Sequence, residues 1–132
     1  MSDDFEAIRV PNISDFLESN KVPISPAIRA NGFLFISGAP PIDPETGELV
    51  RGDIATQTEV VLRHIGAILA ASDSSFDKVV KTTIYCTNSA YFRIVNEVYM
   101  KYFKAPFPTR TFVTVASWPM EFDIEIECMA VA

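Results

Sequence analysis

Residues 53–86 read DIATQTEVVLRHIGAILAASDSSFDKVVKTTIYC, and this stretch indicates how the chain is built. Its first part has apolar residues at helical spacing, which predicts a helix from Ile54 to about Ala71 with Asp53 as the N-cap. Its last part, Val79–Cys86, is rich in β-branched residues and predicts a strand. A helix followed closely by a strand indicates a fold in which helices pack on a sheet.

The predicted helix has two distinct sides. Its apolar stripe consists of Ile54, Val61, Leu62, Ile65, Ile68 and Leu69, and we place Gln57, Glu59 and Arg63 on the outer side. His64 lies beside the stripe. We interpret it as a surface or boundary residue and not as a catalyst, because no serine or cysteine nucleophile motif accompanies it.

Upstream of this stretch, Asn31-Gly32 predicts a two-residue turn. The turn would join a short strand, Ala27–Ala30, to a buried strand over residues 33–37. Residues 1–22 are a less regular N-terminal extension, with a possible short strand over 5–10 and one helical turn over 13–17.

Downstream, Asn88 or Ser89 can cap a second helix that runs to about Phe103, and the prolines at 106 and 108 prevent its continuation. Strands are predicted over residues 110–116 and 122–131. In the last strand, apolar side chains point one way, and a row of carboxylates, Asp123, Glu125 and Glu127, points the other way.

These elements predict one domain over residues 1–132, with a mixed sheet and two helices packed on one face. Two helices cover only one face of a sheet. The other face must therefore be polar or be buried against other subunits.

Composition excludes several classes of function. The chain has 17 acidic and 11 basic residues, and its net charge of −6 without a basic block argues against binding to nucleic acid or to anionic membranes. One histidine and the lack of a Cys-x-x-Cys motif argue against a metal site. We interpret Cys86 and Cys128 as buried and unpaired, and the acidic N-terminus, unlike a signal peptide, predicts a cytoplasmic location.

Three features are candidates for chemistry. Arg110 opens a strand and could bind a carboxylate in bidentate fashion, or it could be a surface arginine paired with an acid. The carboxylate row could be a solvated edge, or burial could raise the pKa of one member and make it a base. Asn96 alone is typical of a boundary amide.

Several motifs, in order along residues 23–131, resemble those of the Rid (YjgF/RidA) family. They are Phe33-Leu34-Phe35-Ile36-Ser37-Gly38 followed by residues 41–47, Gly52-Asp53-Ile54 with Gln57-Thr58, residues 79–83, Val95-Asn96 with Tyr99, Tyr102-Phe103, Pro108-Thr109-Arg110-Thr111 and Ile124-Glu125-Ile126-Glu127.

The resemblance implies a chorismate-mutase-like α+β fold, a homotrimer with a site at each subunit interface, and no metal or organic cofactor. It also implies hydrolysis of 2-enamine and 2-imino acids to 2-keto acids with release of ammonia, as in 2-iminobutanoate/2-iminopropanoate deaminases. The alternative is a non-catalytic protein of this type that binds small carboxylates or modulates a partner.

The resemblance also implies roles for individual residues. Arg110 matches the arginine that holds the substrate carboxylate, and Glu125 matches the glutamate that activates water. Asn96 and Gly38 match residues of the pocket, and Phe112 stands where the family often has a cysteine. Ile24 stands where the family usually has a tyrosine, which makes the predicted substrate-binding pocket less polar.

Overall fold

The computed structural model describes residues 4–132. Its strands are β1 (Phe5–Ile8), β2 (Ala27–Ala30), β3 (Phe33–Ala39), β4 (Val79–Cys86), β5 (Thr109–Thr114) and β6 (Ile124–Val131). Its helices are α1 (Ile13–Ser19), α2 (Ile54–Ala71) and α3 (Phe92–Tyr99). The predicted combination of helices with a mixed sheet is confirmed, but the predicted number of two helices is wrong because α1 is a third.

All six strands belong to one sheet in the order β1-β2-β3-β6-β4-β5. Strands β4 and β5 are parallel, whereas the other neighbouring pairs are antiparallel. The parallel pair needs a crossover connection, and α3 lies in that connection. Strand β6 pairs with β3 on one side and with β4 on the other, so the last strand of the chain lies at the centre of the sheet.

The turn between β2 and β3 is the predicted one. Asn31 and Gly32 have φ angles of 50° and 80°, and they join Ala30 to its partner Phe33. Both turn residues therefore have positive φ, as a type I′ hairpin turn requires, and asparagine and glycine tolerate this conformation best.

Helix α2 begins and ends at the predicted residues. Its N-cap carboxylate, that of Asp53, accepts a hydrogen bond from the Thr56 N–H at 2.8 Å. The predicted apolar stripe is buried. The prediction that Gln57 lies outside is wrong, because its side chain is buried. Its amide donates to the Gly52 carbonyl at 2.8 Å and to the Asp123 carboxylate at 3.0 Å, and these bonds compensate the burial.

Helix α3 is shorter than predicted at both ends. Asn88 does act as a cap, but it caps a 3₁₀ turn over Ser89–Tyr91, where its side chain accepts from the Ala90 N–H at 2.8 Å. The helix ends at Tyr99, whose carbonyl then accepts from the N–H of Tyr102 and from that of Phe103 in the following turn.

The predicted N-terminal extension contains β1 and α1, and its first three residues lie outside the described part of the chain. Strand β1 pairs with β2. Ile13 and Leu17 of α1 are buried in the same apolar core as α2. The Arg9 guanidinium lies 2.6 Å from the carboxylates of both Asp15 and Glu18 at the helix surface.

The two faces of the sheet differ in what covers them. The apolar residues of β6, Ile124, Ile126, Cys128 and Ala130, are buried beneath the helices, which confirms the predicted alternation. The opposite face, called the open face below, carries exposed apolar side chains, among them Phe33, Phe35 and Val113. Covering this apolar surface would remove it from water and so lower the free energy of the protein.

The predictions for the two cysteines are confirmed, whereas the prediction for His64 is not. Cys86 and Cys128 are buried and unpaired, as predicted. The prediction that His64 is a surface or boundary residue is wrong: it is buried, its Nδ1 lies 2.8 Å from the Pro40 carbonyl oxygen, and burial lowers its pKa to about 4.

Within residues 4–132, no helix is long and apolar enough to cross a membrane, and no cluster of three or more acidic, His or Cys residues could hold a metal ion.

We expect the free energy of unfolding to fall as the pH drops from about 6.5 to about 4, because folded His64 stays neutral whereas unfolded His64 takes up a proton. The loss should be ~2 kcal/mol between about pH 7 and about pH 5, measured by urea unfolding. His64→Gln keeps an amide donor for the Pro40 carbonyl and should lack this loss. An equal loss in His64→Gln would contradict the assignment.

Candidate functional site

Arg110 lies on the edge strand β5, on the face that the helices cover, opposite the buried Thr82 of β4. Its guanidinium carbon lies 5.0 Å from the ring centroid of Tyr99 and 5.5 Å from that of Phe92. Among residues 4–132, no carboxylate forms an ion pair with it. The aromatic rings hold the cation without neutralising it, so its donors remain available to the carboxylate of a ligand.

Asn96 borders the same cavity as Arg110. The cavity has a volume of about 280 Å³ and is lined by Asn96, Tyr99, Met100, Phe107, Pro108 and Arg110. The Asn96 carboxamide oxygen is buried and has no hydrogen-bond partner in the described part of the chain. A buried acceptor without a donor costs ~1–3 kcal/mol. A ligand with an N–H or O–H group could satisfy it.

Phe112 supports the position of Arg110. Its ring packs edge-on against Phe92 at a centroid distance of 5.2 Å, and it lies two residues from Arg110 on the same face of β5. Phe92 therefore contacts both Phe112 and the guanidinium.

Glu125 lies on β6 with its side chain on the open face, opposite Tyr85 of β4. The neighbouring strand β3 has an irregularity between Ile36 and Ala39, and Gly38 lies within it. A Cβ atom on residue 38 would lie 2.2 Å from the Glu125 Oε1 atom. Only glycine therefore allows this carboxylate to rest against the backbone of β3.

Burial, followed by the negative charge of Glu127, raises the pKa of Glu125. Glu127 accepts a hydrogen bond from the Tyr85 hydroxyl, and this bond raises the pKa of Tyr85. Glu125 has no hydrogen-bond partner among residues 4–132. Glu125, not Glu127, is thus the carboxylate that is free to take a proton from a ligand or from water.

A second cavity, of about 240 Å³, is bordered by Ile24, Gly38 and Glu125. We call it the apolar cavity, because aliphatic and aromatic side chains from α1, from α2 and from residues 118–122 form most of its walls. Ile24 is 48% exposed and offers it only apolar atoms.

The predicted site residues thus fall into two groups. Arg110, Asn96 and Phe112 lie on the helix-covered side, at the edge strand β5. Ile24, Gly38 and Glu125 border the apolar cavity, and the Glu125 side chain is on the open face. Strand β4 separates β5 from β6, so a single chain does not bring the two groups together.

The predicted carboxylate row is wrong at one position. Asp123 precedes β6, and its carboxylate accepts hydrogen bonds from Gln57 Nε2 at 3.0 Å and from Thr87 Oγ1 at 2.9 Å. Its N–H donates to the Gln57 carboxamide oxygen at 2.8 Å. Asp123 therefore joins the start of α2 to the start of β6.

Sequence reasoning gave Tyr99 no role in the site, although Tyr99 belongs to one of the family motifs. The Tyr99 ring lies against Arg110, and its hydroxyl lies 2.9 Å from that of Thr82. The spacing of three residues between Asn96 and Tyr99 places both on one face of a helix, and this spacing is the signal that could have identified the pair.

Comparison with known proteins agrees with the motifs. The profile of the family described as Endoribonuclease L-PSP matches residues 18–132. The chain belongs to the Rid (YjgF) family.

Members of the Rid family with similar sequences have different names. The chain is 48% identical to the chloroplastic Reactive Intermediate Deaminase A of Arabidopsis thaliana, over 82% of this chain and 58% of that protein. It is 39% identical to the human 2-iminobutanoate/2-iminopropanoate deaminase, over 83% of this chain and 80% of that protein. Others are named as an endoribonuclease or a regulator.

A solved Rid-family structure shares the fold. That structure is of a protein of unknown function from Yersinia pestis. It superposes on the present chain with a TM-score of 0.87 at 41% identity, over 97% of the present chain and 99% of the Yersinia protein. The similarity thus includes β1 and the first part of α1, which precede residue 18.

We expect Gly38→Ala to displace the Glu125 carboxylate, because the added Cβ would lie 2.2 Å from Oε1. The atoms in the way belong to a flexible side chain that can turn aside, so the free energy of unfolding should fall by no more than ~1 kcal/mol, measured by urea denaturation. The same change in a Glu125→Ala background should cost much less, because the clashing carboxylate is gone. Equal costs in the two backgrounds would show that Gly38 is not required by Glu125.

Proposed function

We propose that the chain hydrolyses 2-imino acids, and the 2-enamine acids from which they form, to 2-keto acids and ammonia. The observation that carries this proposal is the pair of uncommitted groups: the unpaired Arg110 guanidinium and the Glu125 carboxylate with its raised pKa. A 2-imino acid has an anionic carboxylate next to an electrophilic carbon. Arg110 suits the carboxylate, and a base such as Glu125 suits the attack of water on that carbon.

We further propose that the site is completed in a homotrimer, where Arg110 of one copy meets Glu125 of the next. The separation of the two groups within one chain supports this arrangement, because neither group alone offers both an anchor and a base. The exposed Phe33 and Phe35 on the open face also support it, since contact with another copy would remove their apolar surface from water.

The proposed reaction begins with an enamine gaining a proton at C3, which gives the imine. A water oxygen then bonds to C2 while Glu125 takes a proton from that water and the imine nitrogen is protonated. The product of this step is a tetrahedral carbinolamine. Glu125 returns its proton to the nitrogen, the C–N bond breaks, and the carbinolamine hydroxyl releases its proton to solvent as its oxygen becomes the C2 carbonyl of the 2-keto acid, so that ammonia leaves. The released proton balances the one that the imine nitrogen took from solvent. No oxidant or reductant is needed.

Each group of residues would contribute differently. Arg110 holds the carboxylate and thereby fixes the position of C2. The unpartnered Asn96 oxygen can accept an N–H of the substrate. Glu125 acts as a base only when ionised, so the rate should rise with pH through its raised pKa.

A second candidate is a non-catalytic protein that binds small carboxylates. The Arg110 cavity favours this candidate too, because Arg110 and Asn96 could bind a carboxylate without help from Glu125. The two candidates differ in whether the rate of ammonia release exceeds the spontaneous rate.

We expect the protein to accelerate ammonia release from 2-iminobutanoate made in situ by a threonine dehydratase. Arg110→Lys keeps the charge but loses the bidentate geometry, so it should weaken binding of 2-oxobutanoate and lower the rate. Glu125→Gln should lower kcat ~10²–10⁴-fold while 2-oxobutanoate still binds. Glu127→Gln is the matched control and should lose much less activity. Binding by the unaltered protein without any acceleration would favour the non-catalytic candidate.

We expect a homotrimer at micromolar concentration, measured by light scattering or sedimentation. Phe35→Glu places a charge on the open face and should shift the protein toward monomer, with loss of activity. Glu97→Lys, at an exposed position of α3, is the control for a change of charge. A monomeric unaltered protein with full activity would contradict the shared site.

A further inference from the structure

The apolar cavity extends well beyond Glu125. Its lining includes Gly38 and Glu125 and also Ile13, Phe16 and Leu17 of α1. The profile match to the family begins at residue 18, so these three α1 residues precede it. The cavity therefore joins the proposed base to a wall that the N-terminal segment supplies.

Most polar atoms around the cavity already have partners in the protein. The Ser37 hydroxyl donates to the Ser25 carbonyl at 2.7 Å, and His64 Nδ1 lies 2.8 Å from the Pro40 carbonyl oxygen. Because the pKa of His64 is lowered to about 4, its ring is neutral near pH 7. Glu125 is thus the one charged group among the lining residues.

Aromatic packing builds another part of the wall. The Trp118 ring stacks on Phe122 with a centroid distance of 4.6 Å and an interplanar angle of 28°. Both residues border the apolar cavity, together with Met120. These walls provide broad apolar contact for a group that enters beside Glu125.

We infer that the preferred substrates are 2-imino acids with large apolar side chains, branched aliphatic or aromatic, and that the side chain occupies the apolar cavity. This inference rests on the proposed function and specifies its substrate class. With C2 at Glu125, the substituent on C3 would extend between α1 and the Trp118–Phe122 wall.

The size and polarity of the apolar cavity both favour this class. A cavity of about 150 Å³ is enough to hold a benzene ring, and this one has about 240 Å³. A methyl side chain would leave most of the walls without contact. A polar side chain would give up hydrogen bonds to water and find few in return.

The experiment compares imines made in situ by an amino-acid oxidase from alanine, leucine and phenylalanine. We expect kcat/KM for the leucine and phenylalanine imines to exceed that for the alanine imine by at least ~10-fold. Binding of the product keto acids, pyruvate, 4-methyl-2-oxopentanoate and phenylpyruvate, is measured in parallel by calorimetry and should follow the same order.

Two variants change the volume of the cavity in opposite directions. Val22→Phe fills it and should reduce the preference for leucine over alanine by ~10-fold, whereas Phe16→Ala enlarges it and should increase the preference for phenylalanine over leucine. Val50→Phe adds the same bulk outside the cavity lining and should leave both preferences unchanged.

The outcomes separate this inference from the proposed function. If no imine is hydrolysed faster than in buffer, the proposed function fails, and the keto-acid affinities still test the substrate class. Binding of pyruvate as tight as that of phenylpyruvate would overturn the inference. So would preferences that do not change in folded Val22→Phe and Phe16→Ala proteins.

Discussion

The alternation of side chains along β6 is the constraint on which the rest of the structure depends. Because β6 lies at the centre of the sheet, its apolar residues complete the core beneath the helices, while Glu125 and Glu127 are directed to the open face. A shift of register by one residue would bury both carboxylates and expose the core residues. Core formation and placement of the proposed base are therefore inseparable, and a sequence change that moves β6 would damage both.

Much of the fold could be predicted because local signals and tertiary packing agree. The Asn31-Gly32 turn, the Asp53 cap and the stripe of α2 each depend on neighbours close in sequence. The errors concern side chains whose partners are distant in sequence. Gln57 looked like a surface residue because its partner Asp123 follows it by 66 residues. His64 looked similar, since the carbonyl that compensates its burial belongs to Pro40.

The candidate site could be predicted as a set of residue types but not as an arrangement. Family motifs pointed to Arg110, Asn96, Gly38 and Glu125, but only the sheet order reveals that Arg110 and Glu125 are separated by β4 and lie on different faces. The close approach of Gly38 to Glu125 likewise depends on how β3 and β6 pair, which residue spacing does not encode. The apolar cavity could not be predicted because its walls come from four separate parts of the chain.

The unpartnered carboxamide oxygen of Asn96 bears on both the stability of the fold and the binding of a ligand. A leucine of similar shape at this position would fill the space without an unmet hydrogen bond. The buried amide of Asn96 therefore lowers the free energy of unfolding by ~1–3 kcal/mol relative to leucine. A ligand whose N–H or O–H reached this oxygen would remove that cost. Such a ligand would therefore raise the free energy of unfolding as it bound.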